Sequence, residues 1–229
     1  MPVKAVIFDL DNTLYNEARY IDHAYGAISK YVSELDENMN RRRFYEALKR
    51  KFAARGSQYP RLFNEVLADH GIYGQKLLKS ILRLYSSVAP NIKLYPSALA
   101  VLKRLKKGHK LCLITNGNVT TQKNKVKLLK LSRQFDSIVY ARALSKSQEK
   151  PSPAPYLLTL KRLGVSAAEA VYVGDNPLND FSGAKKIGIK TIRLLKGEFK
   201  NLEVAQKDDA DHRVSDLRGV ERYLKGKRQ

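Results

Sequence analysis

From residue 91 onward the chain alternates short, β-rich apolar runs with stretches of helical periodicity, and that alternation restricts its fold more than any other feature. Residues 110–115, 137–141, 170–174 and 190–194 read as strands, and 96–107, 119–131, 155–163 and 178–187 as helices. A last short strand at 212–215 precedes a terminal helix. Strands joined through helices in this way lie parallel, with right-handed crossovers and helices on both faces of the sheet. Residues 3–8 add a further strand, apolar except for Lys4, that reads as buried on both faces and ends on Asp9.

Between that first strand and the alternating region the rhythm is different. Residues 17–88 carry helical spacing and no convincing strand. Asn40 is placed to cap a helix over 41–55 that Gly56 stops, Pro60 to open another ending near Gly71, and 75–88 form a fourth with Leu77, Leu78, Ile81, Leu82 and Tyr85 on one side. The expected architecture is a doubly wound parallel α/β sheet, Rossmann-like, with an α-helical cap inserted after the first strand. Residues 1–14 and 93–229 would form the core and 15–92 the cap.

A chain of 229 residues with 43% hydrophobic residues has enough apolar surface for such a core. One cysteine, Cys112, excludes a disulfide framework and reads as an inert strand residue. The N-terminal apolar run is too short for a signal peptide and no stretch approaches a membrane span, so a cytoplasmic protein without a membrane partner is expected. His23, His70, His109 and His212 show no metal-ligand spacing. The net charge is +21, and residues 93–150 hold 14 basic side chains against 2 acidic ones. Lys123, Lys125, Lys127, Lys130 and Arg133 follow a helix with Val119, Val126 and Leu129 inward, and read as its solvated face. Weak, non-specific polyanion binding follows from such a face. Specific nucleic-acid binding does not, because no nucleic-acid motif is present.

In an open parallel sheet the site lies beyond the carboxyl ends of the strands. Those ends carry Asp9-Leu10-Asp11-Asn12-Thr13, then Thr115-Asn116-Gly117, then Glu149-Lys150-Pro151, then Gly174-Asp175 with Asp180 five residues on. Asp9, Asp11 and Asp175 converging there would repel one another unless a hard cation sat among them, and oxygen ligands without His or Cys favour Mg²⁺ over zinc. Thr115, Asn116 and Lys150 supply donors suited to a phosphoryl group, and a helix starting near Asn118 aims its positive end at the same place. Asp9 and Asp11, two residues apart on an extended segment, point the same way; one suits a nucleophile, the other a proton shuttle.

Together these residues resemble the haloacid dehalogenase superfamily over nearly the whole chain. Asp9-Leu-Asp-Asn-Thr is similar to its first motif, Ile114-Thr115-Asn116 to the second, Lys150-Pro-Ser-Pro to the third and Gly174-Asp-Asn-Pro-Leu-Asn-Asp180 to the fourth. The stretch before Lys150 departs from the pattern in lacking a glycine often found there. The resemblance implies that Asp9 attacks phosphorus to give an aspartyl-phosphate and that Asp11 protonates the leaving oxygen, then activates water. The Asp9 and Asp175 carboxylates and the Asp11 main-chain carbonyl would bind Mg²⁺, with Asp180 ordering the metal, while Thr115, Asn116 and Lys150 hold the phosphoryl group. Asp11 favours phosphate transfer over the dehalogenase branch, which lacks this second acid. The expected activity is a phosphatase for a small phosphorylated metabolite (a sugar, triose or glycolate phosphate, or a nucleotide), acting as a monomer or homodimer. A phosphomutase, a dehalogenase and a nucleic-acid-binding protein are the alternatives. Tyr15, Arg19 and Tyr20, near the hinge, are the candidates for substrate selection.

Overall fold

The computed structural model describes residues 2–57 and 59–226. Six strands form one sheet: β1 (Ala5–Phe8), β2 (Lys110–Thr115), β3 (Ser137–Tyr140), β4 (Ala170–Gly174), β5 (Lys190–Leu194) and β6 (His212–Val214), in the order β3-β2-β1-β4-β5-β6. Every pairing is parallel. The chain grows outward from β1 through β2 to β3, then returns to lay β4 against the other side of β1. That reversal opens a crevice at the carboxyl ends of β1 and β4, where such sheets bind their ligands. The two central strands read AVIF and AVYVG and are buried at every position, which is why they show no polar alternation.

The chain divides into two compact units, Met1–Glu17 with Asn91–Gln229, and Ala18–Pro90. In the first, α5 (Ala98–Leu105), α6 (Val119–Leu128), α7 (Ala154–Leu163), α8 (Ser182–Lys186) and α9 (Leu217–Gly226) accompany the sheet. Ile7, Cys112, Ile114, Tyr156 and Tyr172 share its core. Burial pushes the Cys112 thiol up to about 11, so it packs as a small hydrophobe. The second unit is helical, with α1 (Ala18–Leu35), α2 (Arg41–Arg55), α3 (Leu62–Asp69) and α4 (Gln75–Ser87) in chain order. Their apolar stripes meet in a core that includes Tyr25, Ile28, Phe44, Leu48, Val66 and Ile81. Asn40 caps residues 41–55 through its side chain, which accepts from the Arg43 amide at 2.9 Å, and Gly56 ends them.

Three helices are shorter than their periodicity suggests. The stretch 96–107 is helical only over Ala98–Leu105. The stretch 119–131 stops at Leu128 because Lys130 turns left-handed (φ 54°) and the Leu131 amide reaches back to the Val126 carbonyl. The stretch 178–187 is helical only from Ser182. Before it, Asn176 accepts from the Leu178 amide through its side chain and from the Asp180 amide through its carbonyl, closing a turn in place of a helix start.

Candidate active site

The ends of β1, β2 and β4 and the loop before α7 bring Asp9, Thr115, Asn116, Lys150, Asp175 and Asp180 together. Two glycines make that approach feasible. A Cβ on Gly174, the last residue of β4, would lie 2.3 Å from Asp180 Oδ2, so only glycine lets the Asp180 carboxylate fold back over the strand end. A Cβ on Gly183 would lie 2.1 Å from the Pro151 carbonyl, so α8 can press against the loop that delivers Lys150.

Lys150 is the centre of the cluster. Buried, its ammonium donates to Asp9 Oδ1 at 2.6 Å, Asp180 Oδ1 at 2.7 Å and the Tyr172 hydroxyl at 2.9 Å. Burial disfavours that charge, but the Asp180 and Asp9 carboxylates outweigh it and keep the amine protonated well above its ordinary range. Lys150 therefore bridges two acids, a tighter engagement than that of a free phosphoryl donor. Asp180 also accepts from the Asn176 amide at 2.9 Å, and the Tyr156 hydroxyl donates to its carbonyl at 2.7 Å. The Asn116 amide is engaged as well. Its nitrogen donates to the Lys150 carbonyl and its oxygen accepts from the Lys150 amide, at 2.8 and 3.0 Å, so the side chain fixes the lysine's backbone. Thr115 is buried, and its hydroxyl makes a long 3.4 Å contact to the Asn116 carbonyl. Behind this turn Glu149 accepts from the Gly117 amide and pairs with Arg142 at 2.6 Å.

Carboxylate oxygens of Asp9, Asp175 and Asp180 lie within 4.8 Å of one another, all three buried. Burial pushes Asp9 up from 3.8 to about 7, with Lys150 opposing and Asp180 adding to the rise. Burial, with Asp9 and Asp180 beside it, carries Asp175 well above the usual carboxylate range. Among the described residues, Asp175 Oδ2 has no hydrogen-bond partner. A buried, orphaned carboxylate oxygen beside two more acids is an environment that one oxygen-seeking divalent cation satisfies.

Asp11 departs from expectation. Its carboxylate does not converge with those of Asp9 and Asp175 but turns toward α6, where Lys125 Nζ donates to Oδ1 at 2.7 Å and Gln122 Nε2 to Oδ2 at 2.8 Å. The Tyr15 hydroxyl adds a 2.6 Å bond to Oδ1. Burial works against the charge, yet these donors, Lys125 foremost, hold the Asp11 carboxyl below its usual range. Lys125 also donates to Glu17 Oε1 at 2.8 Å. Burial and the charge of Asp11 push Glu17 up to about 7 against that pairing.

Lys125 is thus no part of a solvated face: it is 2% exposed, whereas Lys123, Lys127 and Lys130 beside it are exposed. The signal was present in the sequence. Gln122 lies four residues before the buried Val126, and Lys125 four residues before the buried Leu129, so both fall on the buried stripe. Tyr15 and Tyr20, candidates for substrate selection, are both buried. Tyr15 serves Asp11, and the Tyr20 hydroxyl donates to the Tyr85 carbonyl at 2.7 Å inside the helical unit. Tyr156 and Tyr172 carried no signal, since an aromatic in a buried strand or helix reads as core. Among the described residues no helix is long and apolar enough to cross a membrane.

Comparison with known proteins agrees with this geometry. The chain is 31% identical over 204 residues to a glyceraldehyde 3-phosphate phosphatase of Methanocaldococcus jannaschii, covering 88% of this chain and 89% of the relative. It is 29% identical over 212 residues to the Methanopyrus kandleri protein of that name, covering 90% of each. Among solved structures, a 2-haloacid dehalogenase from Pseudomonas syringae pv. Tomato superposes with a TM-score of 0.70 at 25% identity, over 99% of this chain and all of that one. A family model described as haloacid dehalogenase-like hydrolase matches residues 6–194. With its sheet order, its strand-end acids and a family match over most of its length, this chain belongs to the haloacid dehalogenase-like hydrolases.

Proposed function

We propose that the protein is a Mg²⁺-dependent phosphomonoesterase acting on a small phosphorylated metabolite, a three-carbon sugar phosphate such as glyceraldehyde 3-phosphate foremost. The observation that carries this reading is the separation of two acids two residues apart. Asp9 lies with Lys150, Asp175 and Asp180, while Asp11 is held apart by Lys125, Gln122 and Tyr15. One carboxylate is arranged as a nucleophile and the other as a proton carrier. Halide departs without a proton and an alkoxide does not, so a dedicated proton carrier favours ester cleavage over dehalogenation. The names of the curated relatives point the same way.

In the first step an Asp9 oxygen attacks phosphorus, the ester P–O bond breaks, and the departing oxygen takes its electron pair and a proton that Asp11, ionised in the free protein, has taken up from solvent as substrate binds. Lys150, already on Asp9 Oδ1, lies where the phosphoryl group arrives and offsets its charge. In the second step water attacks the same phosphorus and gives a proton to the Asp11 carboxylate. The Asp9–phosphorus bond breaks, which frees phosphate and restores both acids. Asp9 and Asp175, with Asp180 behind them and the Asp11 main-chain carbonyl, would hold Mg²⁺, which when bound would neutralise these carboxylates and polarise the phosphoryl oxygens. Catalysis falls to the α/β unit, which holds every one of these residues, and substrate selection to the helical unit as a cap.

The test is phosphate release over a panel of glyceraldehyde 3-phosphate, phosphoglycolate, sugar phosphates and nucleotides, with halide release from 2-haloacids alongside. Turnover of a phosphomonoester that EDTA abolishes and Mg²⁺ restores is the expected result. Halide release without phosphate release would overturn the reading.

A further inference from the structure

A lysine with its ammonium buried is costly to keep in a fold, and replacing a buried ion pair by apolar groups of similar volume is often neutral or stabilising. Lys125 nevertheless sits in the second turn of α6 with its ammonium between two carboxylates, 2.7 Å from Asp11 and 2.8 Å from Glu17. A methionine would fill the same space along the stem. What it would not supply is a hydrogen bond to Asp11.

Among the described residues, each hydrogen bond to the Asp11 carboxylate comes from a donor. The Tyr15 hydroxyl and Lys125 ammonium meet Oδ1, and the Gln122 amide meets Oδ2. An ionised carboxylate only accepts, so this pattern fits the ionised group with its plane fixed from both oxygens. The donors are themselves braced. Gln122 Nε2 also bonds the Asn116 carbonyl at 2.7 Å, tying α6 to the turn after β2. Glu17 takes Lys125 from the other side while its own amide donates to Asn12 Oδ1 at 3.1 Å, within the loop that carries Asp11.

From this arrangement we infer that Lys125, assisted by Gln122, is a positioning residue for water attack, the second half-reaction: it holds the Asp11 carboxylate in the orientation that receives the proton of the attacking water. The inference rests on the phosphatase reading. It gives α6 a catalytic duty that its run of lysines, read as a solvated face, conceals.

Rapid-quench kinetics with 4-nitrophenyl phosphate isolates the step, because nitrophenolate leaves without a proton and the first half-reaction then makes little demand on Asp11. In Lys125→Met the initial nitrophenolate phase should stay within about threefold of the unsubstituted protein. The following steady-state rate should fall about tenfold or more, short of the roughly hundredfold or greater loss expected on removing the general base itself, as phosphoenzyme accumulates. Gln122→Met, which removes the donor on the other oxygen, should move the same ratio in the same direction and carries the test if Lys125→Met does not fold. Equal losses in both phases, or no change in either, would overturn the assignment while leaving the phosphatase reading intact. An unsubstituted protein that hydrolyses neither this ester nor any on the metabolite panel would refute that reading and this inference together.

Discussion

Asp9→Asn should stabilise the metal-free protein while abolishing its turnover. Asp9 is 7% exposed, and burial raises its carboxyl from 3.8 to about 7. A carboxyl held more firmly protonated in the folded than in the unfolded state contributes its full stability below pH 3.8 and loses it as pH rises through the window up to about 7. A rise of that size corresponds to about 4 kcal/mol of native-state penalty once both states are ionised. The asparagine carries no charge and keeps a carbonyl oxygen for Lys150, so most of the penalty should vanish, leaving a gain of about 2–4 kcal/mol. For a chain of this length that is a rise in Tm of about 5–10 °C. Calorimetric melts in EDTA at about pH 8 and about pH 4.5 provide the assay, with the gain large at the first and about 1 kcal/mol or less at the second. Saturating Mg²⁺ should narrow the gap by stabilising the acidic cluster of the unsubstituted protein. A substitution that lowers Tm equally at both pH values would show that Asp9 carries no electrostatic strain. Retention of more than about a tenth of kcat would remove it as nucleophile.

Asp175→Asn, which takes charge from the orphaned oxygen, should raise the Mg²⁺ concentration for half-maximal phosphatase activity about tenfold or more; an unchanged metal titration would exclude Asp175 as a ligand. Reversing the exposed Lys123, Lys127 and Lys130 to Glu should weaken polyanion binding in a salt-dependent way. The same triple variant should leave kcat/KM within about threefold at ~0.15 M salt, where screening acts beyond ~8 Å, and loss of most activity would put those lysines at the site. Arg193→Met should cost about 3–5 kcal/mol. It strips the buried Asp209 of a 3.0 Å partner and the Phe199 and Leu202 carbonyls of theirs, and a melt shifted by less than about 2 °C would show the pairing to be dispensable.

The sheet and the identity of the strand-end acids are legible in the local pattern of residues. Buried parallel strands announce themselves as short unbroken apolar runs, and residues 110–115, 170–174 and 190–194 are strands with those same bounds. Asp9, Lys150, Asp175 and Asp180 meet because a parallel sheet gathers its strand ends along one edge, and their order along the chain already specified that. The direction in which each side chain turns depends instead on long-range contacts. Asp9 and Asp11 share a loop and a charge, so local geometry treats them alike; Lys150 draws one and Lys125 the other, and each lysine is more than a hundred residues away along the chain. The same holds for Gly174 and Gly183, ordinary in sequence, whose missing Cβ atoms admit Asp180 and the Pro151 carbonyl. Periodicity can place a lysine on a buried stripe, but the partner that keeps its charge there comes from elsewhere in the chain, and long-range pairing leaves no mark in local composition.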